Sequence, residues 1–260
     1  MRLSILMTVF EEANFIEYAI RSCLPYVDDL VIVEGAYLEN IKLGKSARSN
    51  DGTLNIINRY KDEEKVHIFY ANEQSDKDHR NVGLEKIKQL NPDGFLLIID
   101  GDEVYKQFTF DLIKKSIIPQ MIKYDKKVRY FSSMTFMNNV NTFCWQQFPR
   151  LFKITKECNF INDNQMSYKD NETIVSFDRS LVPSSDKINY FHYSFLKNKK
   201  KFEEKRNWWM NRGLGPNFDY GWNIDENGII SDKTNSNHKP LFFTGKHPNI
   251  MKSHPLFENL

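Results

Sequence analysis

Four short apolar runs punctuate the first hundred residues, and stretches of helical periodicity separate them. The runs are 3–10, 30–33, 66–70 and 94–99. Near-continuous apolar strands of this length belong to parallel sheets buried on both faces, where helices cover either side. Between the runs, Phe15, Ile16, Ala19, Ile20, Cys23 and Leu24 recur at helical spacing before Pro25, and Asn14 with Glu17 reads as a capping box for that helix. A second helix follows Ser49-Asn50-Asp51-Gly52-Thr53, and a third spans residues 78–90. The expected fold is therefore α/β, a Rossmann-type α/β/α sandwich with a mixed, mostly parallel central sheet. Ligands of such sheets bind beyond the carboxyl ends of the strands. Glu11, Glu34 and Asp100 all stand at those ends.

The pattern changes after Asp100. Residues 110–124 read as an amphipathic helix, 129–137 and 150–154 as strands with an aromatic link (Phe143, Trp145, Phe148) between them, and 186–195 as a further strand. Residues 197–212 read as a basic, aromatic helix, and the remainder as loops folded over the domain. The expected organisation is a first half of regular strand–helix alternation (1–105), a second half of the same domain (106–212) and a loop-rich extension (213–260).

Composition excludes several classes. With 36 Lys+Arg against 34 Asp+Glu, the net charge of +2 is too small for a surface built throughout for nucleic acid. No apolar run approaches the roughly 18–20 residues a membrane span needs, and the N-terminus lacks the pattern of a signal peptide. Cys23, Cys144 and Cys158 are odd in number and far apart, forming neither a disulfide framework nor a zinc spacing. A reduced, cytoplasmic setting is the expectation.

The chemistry concentrates in Asp100-Gly101-Asp102-Glu103. Residues i and i+2 at the end of a strand project to one side. Two carboxylates so placed suit Mg²⁺ or Mn²⁺, which take oxygen ligands and keep positions open for phosphate oxygens. Gly101 between them permits close approach to the backbone. The competing reading is an acidic turn, since Asp-Gly is a common turn dipeptide.

Four segments in order carry a resemblance. They are ILMTVFEEANFIEYAIRS, VIVEG with SNDGT after an insertion, DHRNVGLEKI, and LLIIDGDE. Together they resemble the nucleotide-sugar-binding half of family 2 glycosyltransferases with the GT-A fold, over about 40% of the chain. The resemblance implies transfer of a sugar from a nucleotide-diphospho-sugar, a UDP-sugar favoured, to a hydroxyl of a glycan, lipid-linked or protein acceptor, with inversion. It implies nucleotide-sugar contacts from Glu11, Glu34, Arg80, Asn81, Asp100 and Gly101. Glu34 stands where the family has an Asp that meets the base. A divalent metal (Mn²⁺ or Mg²⁺) would rest on Asp102 and Asp100, and His192 in Phe191-His192-Tyr193-Ser194 resembles a third ligand. A core histidine is the alternative there. The family's general base is a carboxylate; Asp163 is the candidate, ahead of Asp170 and Glu172. The insertion at 36–48, with Lys42, Lys45 and Arg48, reads first as a solvated loop and second as a phosphate or acceptor contact.

Two rivals stand beside this reading. A nucleotidyltransferase would want a Gly-rich basic loop after the first strand, where this chain has Glu11-Glu12. A non-catalytic GT-A-like or RNA-binding module would use the Lys197–Lys201 and Trp208-Trp209 region, phosphates on the cations and bases on the rings. His247, beside Thr244-Gly245-Lys246, is a polar candidate for the edge of the site.

Overall fold

The computed structural model describes residues 1–71, 75–168, 189–196, 203–204, 207, 222–224, 230–232 and 240–258. Asp170, Glu172 and nearly all of the basic, aromatic segment at 197–212 lie outside the described residues.

Strands β1 (Leu3–Val9), β2 (Asp29–Glu34), β3 (Val66–Tyr70) and β4 (Phe95–Ile98) form the expected parallel array in the order β3-β2-β1-β4. Their connections are α1 (Ile16–Cys23), α2 (Leu38–Lys42) with α3 (Thr53–Ile57), and α4 (Asp76–Leu90). Every residue of β1, β2 and β4 is buried, which explains why these runs show no polar alternation. One face of β1, with Leu3, Ile5 and Met7, packs on Ile16, Ala19 and Ile20 of α1. The opposite face, with Leu6, Val31 and Val33, packs on Leu84 and Ile87 of α4. α4 approaches closely at Gly83, where a Cβ would collide with Leu6 and come within 3.0 Å of Val33.

The sheet continues beyond β4 with antiparallel partners. A short β5 (Glu103–Val104) is followed by α5 (Gln107–Leu112), which runs through a π turn (Ile113–Ile117) into α6 (Ile118–Lys123). Pro119 has no N–H for an interior helical bond, and the widened turn just before it accommodates that loss. β6 (Val128–Met137) and β7 (Thr142–Lys153) form a long hairpin, and β7 pairs with β4. The aromatic link expected between two strands is thus strand itself. Phe143, Trp145 and Gln147 alternate with Cys144, Gln146 and Phe148 through the same 12-residue element. Pro149 is tolerated beside a register shift at Arg129/Tyr130.

A small hairpin, β8 (Asn159–Phe160) with β9 (Met166–Ser167), packs on α4. β10 (Asn189–Phe195) then inserts between β6, to which it is parallel, and β5, to which it is antiparallel. β11 (Trp222–Ile224) and β12 (Ile230–Asp232) pair with each other, and β13 (Leu241–Phe242) joins the main sheet along β7. The result is the expected α/β fold with a mixed sheet whose first half is wholly parallel. Among the described residues no helix is long and apolar enough to cross a membrane.

The first helix starts differently from the expectation. Phe15 is its N-cap and makes no side-chain capping bond, while Glu17 pairs with Arg59 at 2.6 Å. The turn before α1 is held from elsewhere, and that hold belongs to the site.

Candidate active site at the carboxyl ends of the strands

Glu11, just beyond β1, has a left-handed backbone (φ +53°), which an L residue adopts only when its surroundings enforce it. The segment leading into α3 supplies the enforcement. The Glu11 amide donates to Ser49 Oγ (2.8 Å), the Glu12 amide to Thr53 Oγ1 (2.9 Å) and the Ala13 amide to Asp51 Oδ2 (3.1 Å). Thr53 in turn donates to Asp51 Oδ1 from its hydroxyl (2.6 Å) and its amide (3.1 Å). Ser49, Asp51 and Thr53 therefore satisfy three successive amides of the acidic turn. Ser49 also donates its own amide to Glu34 Oε1 at 2.8 Å, tying the ends of β1 and β2 together.

Glu34 is fully buried at the end of β2. Arg48 Nε lies 3.9 Å from its Oε2, which has no hydrogen-bond partner among the described residues. An acceptor left in that state favours a ligand N–H.

Within residues 36–48, Tyr37, Lys45 and Arg48 reach the strand ends, while Leu38, Lys42, Leu43, Gly44 and Ser46 are exposed, as a solvated loop would have them. The Tyr37 hydroxyl hydrogen-bonds Thr8, and its ring lies 4.8 Å from that of His79. Arg48 donates to the carbonyls of Glu34 (3.3 Å) and Ala71, and its guanidinium sits 5.3 Å from the centre of the Tyr70 ring. Lys45 bridges Glu11 (2.9 Å) and Glu204 (2.8 Å).

The Asp100–Glu103 turn is the electrostatic centre. Asp100 Oδ1 accepts from Arg80 Nη2 (3.3 Å) and Oδ2 from Arg150 Nη2 (2.8 Å). Burial works against its charge, but Arg150 and Arg80 outweigh it and hold the carboxyl below its usual range. Arg80 is itself buried, pairs with Asp76 one turn away (3.2 Å) and leaves Nη1 without a hydrogen-bond partner among the described residues. Burial opposes the Arg80 charge as well, yet Asp76 and Asp100 raise its pKa. Arg150 reaches Glu103 with the same Nη2 and Tyr190 Oη with Nε (3.2 Å). Glu103 is fully buried, and desolvation pushes its carboxyl well above the usual value. At Gly101 a Cβ would lie 3.1 Å from Glu12 Cβ, so the absence of a side chain lets the two acidic turns meet.

Asp102 is almost fully buried and faces His192. Its Oδ1 lies 3.2 Å from His192 Nε2 on β10. Asp102 and His192 fit a divalent cation: a carboxylate oxygen and an imidazole nitrogen converge, and Mn²⁺ accepts one imidazole among oxygen ligands. Both oxygens of Asp100 already meet guanidinium groups. Among the described residues no group of three His, Cys, Asp or Glu is gathered closely enough to hold an ion. Water and phosphate oxygens would therefore have to complete the coordination shell.

Glu11, Glu34, Arg80, Asp100, Gly101, Asp102 and His192 thus gather at one edge of the sheet. Asn81 and Asp163 do not join them through any contact described. The Asn81 side chain pairs with the Phe160 backbone in both directions (3.0 and 2.8 Å), fastening β8 to α4. Asp163 lies in the turn between β8 and β9.

Sequence reasoning gave no role to Arg150 or Tyr37 and named Glu103 only as part of the acidic turn. An arginine followed directly by Leu151 and Phe152 inside a strand was the available signal for Arg150. His247 is half-buried, with both ring nitrogens engaged in an aromatic cluster. Tyr193 Oη donates to its Nδ1 (3.0 Å) and its Nε2 donates to the Val140 carbonyl (2.8 Å), within a cluster of Phe136, Phe191, Phe243 and Phe257.

No family model and no curated protein matches the chain. Among solved structures it is similar to residues 1–349 of TarS from S. aureus, at 17% identity over 54% of this chain and 37% of that one, with a TM-score of 0.35. The same TarS fragment in complex with UDP-GlcNAc matches at 18% identity, 54% and 36% coverage and a TM-score of 0.35. A 4-diphosphocytidyl-2C-methyl-D-erythritol synthase matches at 12% identity over 59% of this chain and 74% of that one, with a TM-score of 0.32. The matched region spans little more than a third of the TarS fragment, and similarity at this level says nothing about activity.

Proposed function

We propose that this chain is a metal-dependent glycosyltransferase that moves a sugar from a nucleotide-diphospho-sugar to an acceptor hydroxyl with inversion. The observation that carries the reading is the convergence of Asp102 and His192 at 3.2 Å, beside an Asp100 clamped by Arg80 and Arg150, at the carboxyl edge of a parallel sheet. Ligands of such sheets bind there. Strand-end carboxylates alone are common; here a carboxylate and an imidazole from opposite halves of the chain meet beside two buried arginines.

Within this reading each group has a task. Glu34 Oε2 receives an N–H of the nucleobase. Arg80 directs Nη1 toward the nucleotide while Asp76 and Asp100 fix its plane. Asp102 and His192 hold the divalent metal, which when bound neutralises charge on the departing diphosphate. An inverting transfer also requires a carboxylate to take the proton of the attacking hydroxyl, and Asp163 is the candidate base. The acceptor is a glycan, a lipid-linked sugar or a protein side chain. The clamped acidic turn after β1 offers no Gly-rich basic loop, which disfavours a nucleotidyltransferase.

Thermal unfolding with UDP, GDP, CDP and ADP, each with and without Mn²⁺, tests the reading. Ligand at about 100 times its Kd adds about 2.7 kcal/mol, a readily measured shift. One diphosphonucleoside should stabilise the chain only with metal present, UDP being the first probe. Asp102→Asn should remove the shift and leave the unliganded melting temperature near that of the parent. Asp163→Asn should keep the shift and lose transfer. No response to any of the four nucleotides would overturn the proposal.

A further inference from the structure

The atoms that the proposed reading gives to the nucleotide are sealed from solvent. Glu34 Oε2 and Arg80 Nη1 are buried and have no hydrogen-bond partner among the described residues, and both ring nitrogens of His79, which is fully buried, are in the same condition. Folded proteins leave few such atoms unpaired. These belong to one neighbourhood. α4 follows β3 and leads to β4, which share one direction, so it runs back against them and begins at their carboxyl ends. His79 and Arg80 lie one turn before Gly83, the point at which α4 presses on Leu6 and Val33. The first turn of α4 therefore stands over the end of β2, where Glu34 lies.

Tyr37 covers this neighbourhood. Its backbone is fixed as the N-cap of α2: its amide donates to Asn40 Oδ1 (3.2 Å) and its carbonyl accepts from the Asn40 and Ile41 amides (2.9 and 3.2 Å). From that anchor the side chain reaches β1, where the hydroxyl bonds Thr8, and the ring centre lies 4.8 Å from that of His79. The charged groups that act on it are those of the site, Asp76, Arg80 and Asp100. β1 lies between β2 and β4, so a nucleotide reaching from Glu34 to Asp102 has to cross the end of β1 where this side chain lies. Stacking of a base on the outer side of the ring would leave Glu34 Oε2 and Arg80 Nη1 sealed and unpaired. Displacing the ring exposes them.

We infer that Tyr37 is the gate of the nucleotide crevice: its side chain fills the crossing over β1, and a nucleoside diphosphate enters by turning it outward about its own side-chain bonds while α2 stays in place. This rests on the nucleotide-sugar reading above. Rotation between staggered positions needs no backbone change, and the neighbouring Leu38 is exposed, so the outward direction leads to solvent.

Calorimetric titration of the full chain with UDP in Mn²⁺ tests the inference. Apparent affinity is divided by the competent fraction, and minor states are commonly about 10% populated or less, so Tyr37→Ala should bind UDP about 10-fold more tightly or better. Tyr37→Phe loses only the bond to Thr8 and should bind about 2- to 10-fold more tightly; it keeps the ring and serves where the alanine variant melts early. Hydroxyl-radical footprinting of the parent should show Tyr37 becoming more reactive with UDP and Mn²⁺, while the fully buried Tyr193 stays protected. UDP affinity in both variants equal to or below that of the parent overturns the gate and leaves the transferase reading standing, as does a Tyr37 that becomes less reactive on binding. Failure of parent and variants alike to bind UDP, GDP, CDP or ADP with Mn²⁺ overturns the transferase reading and the gate together.

Discussion

Arg150 is almost fully buried, yet its guanidinium meets Asp100, Glu103 and Tyr190 and lies 5.1 Å from the centre of the Phe148 ring. Burial disfavours its charge, but Asp100 and Glu103 hold its pKa well above the ordinary value, so it stays a cation. Removing one partner from a buried ionic group typically costs about 3–5 kcal/mol, because the remaining charge stays desolvated. Arg150→Met should therefore lower stability by about that amount in urea denaturation. Arg150→Lys should recover part of it, since a point charge can meet one carboxylate but cannot span two and stack on a ring. An Arg150→Met chain within about 1 kcal/mol of the parent, the usual worth of an exposed pair, would show that the network is not a stability element. Asp100 and Asp102 were legible in the sequence because a DGD at the end of an apolar run is a local signal. Arg150 was not, since its partners lie some fifty residues back and only the strand pairing of β4 with β7 reveals them.

At the scale of elements, the acidic turn after β1 and the segment entering α3 act as one unit. Three side chains of the second satisfy three consecutive amides of the first, which neither segment provides for itself. Asp51 is central, accepting from the Ala13 amide and from both donors of Thr53. Hydrogen bonds to a charged acceptor contribute about 1.5–3 kcal/mol net, and orphaned amides cost more when buried. Asp51→Ala should thus destabilise the chain by about 2 kcal/mol, and nucleotide stabilisation should shrink as well because Glu11 and Glu34 lose their relative placement. If the variant keeps the full nucleotide shift, the unit holds the fold and not the site. The four parallel strands and the third helix were readable from periodicity because apolar burial alone decides them. The SNDGT segment was readable only as a helix start. Its grip on a turn 38 residues earlier depends on the adjacency of β1 and β2, which no local pattern encodes. Likewise Asn14 matched a capping box, but the N-cap is Phe15 without a side-chain bond, and the Phe15 and Ile16 amides donate to the Glu12 carbonyl of that turn instead.

At the scale of the whole molecule, the segment at 240–258 closes the fold through two neutral histidines. His254 Nε2 donates to the Asn14 carbonyl (2.9 Å) just before α1, its Nδ1 accepts from Leu256 N (3.1 Å), and its ring stacks on Phe15. His247 joins Tyr193 of β10 to Val140 in the turn between β6 and β7. Each ring uses one nitrogen as donor and the other as acceptor, and a second proton would remove the acceptor. Burial lowers both pKa values, and Lys106 adds to the effect at His247. His79, buried beside Tyr37, is lowered to about 4 by desolvation in the same sense. A group whose folded pKa lies below its unfolded value adds no pH dependence while both states are deprotonated. As pH falls below about 6.5 the unfolded chain binds protons first, so stability declines until the folded pKa is passed. The carboxyl of Asp100 is also lowered, but its contribution is lost only below the usual carboxylate value of 3.8, outside that window. These histidines should therefore lower the denaturation free energy between about pH 6.5 and pH 4.5. Glu103, whose carboxyl pKa burial raises in the folded chain, acts in the opposite sense as pH falls toward about 4.5, so the histidine share is read as the difference between the parent and a variant lacking them. A His247→Gln/His254→Gln chain should be less stable than the parent at about pH 7.5, having lost fitted contacts, yet show a shallower decline over the acidic range. A double variant that declines as steeply as the parent would remove the C-terminal histidines as the source of acid sensitivity and leave His67 and His79, both lowered by desolvation, to account for it.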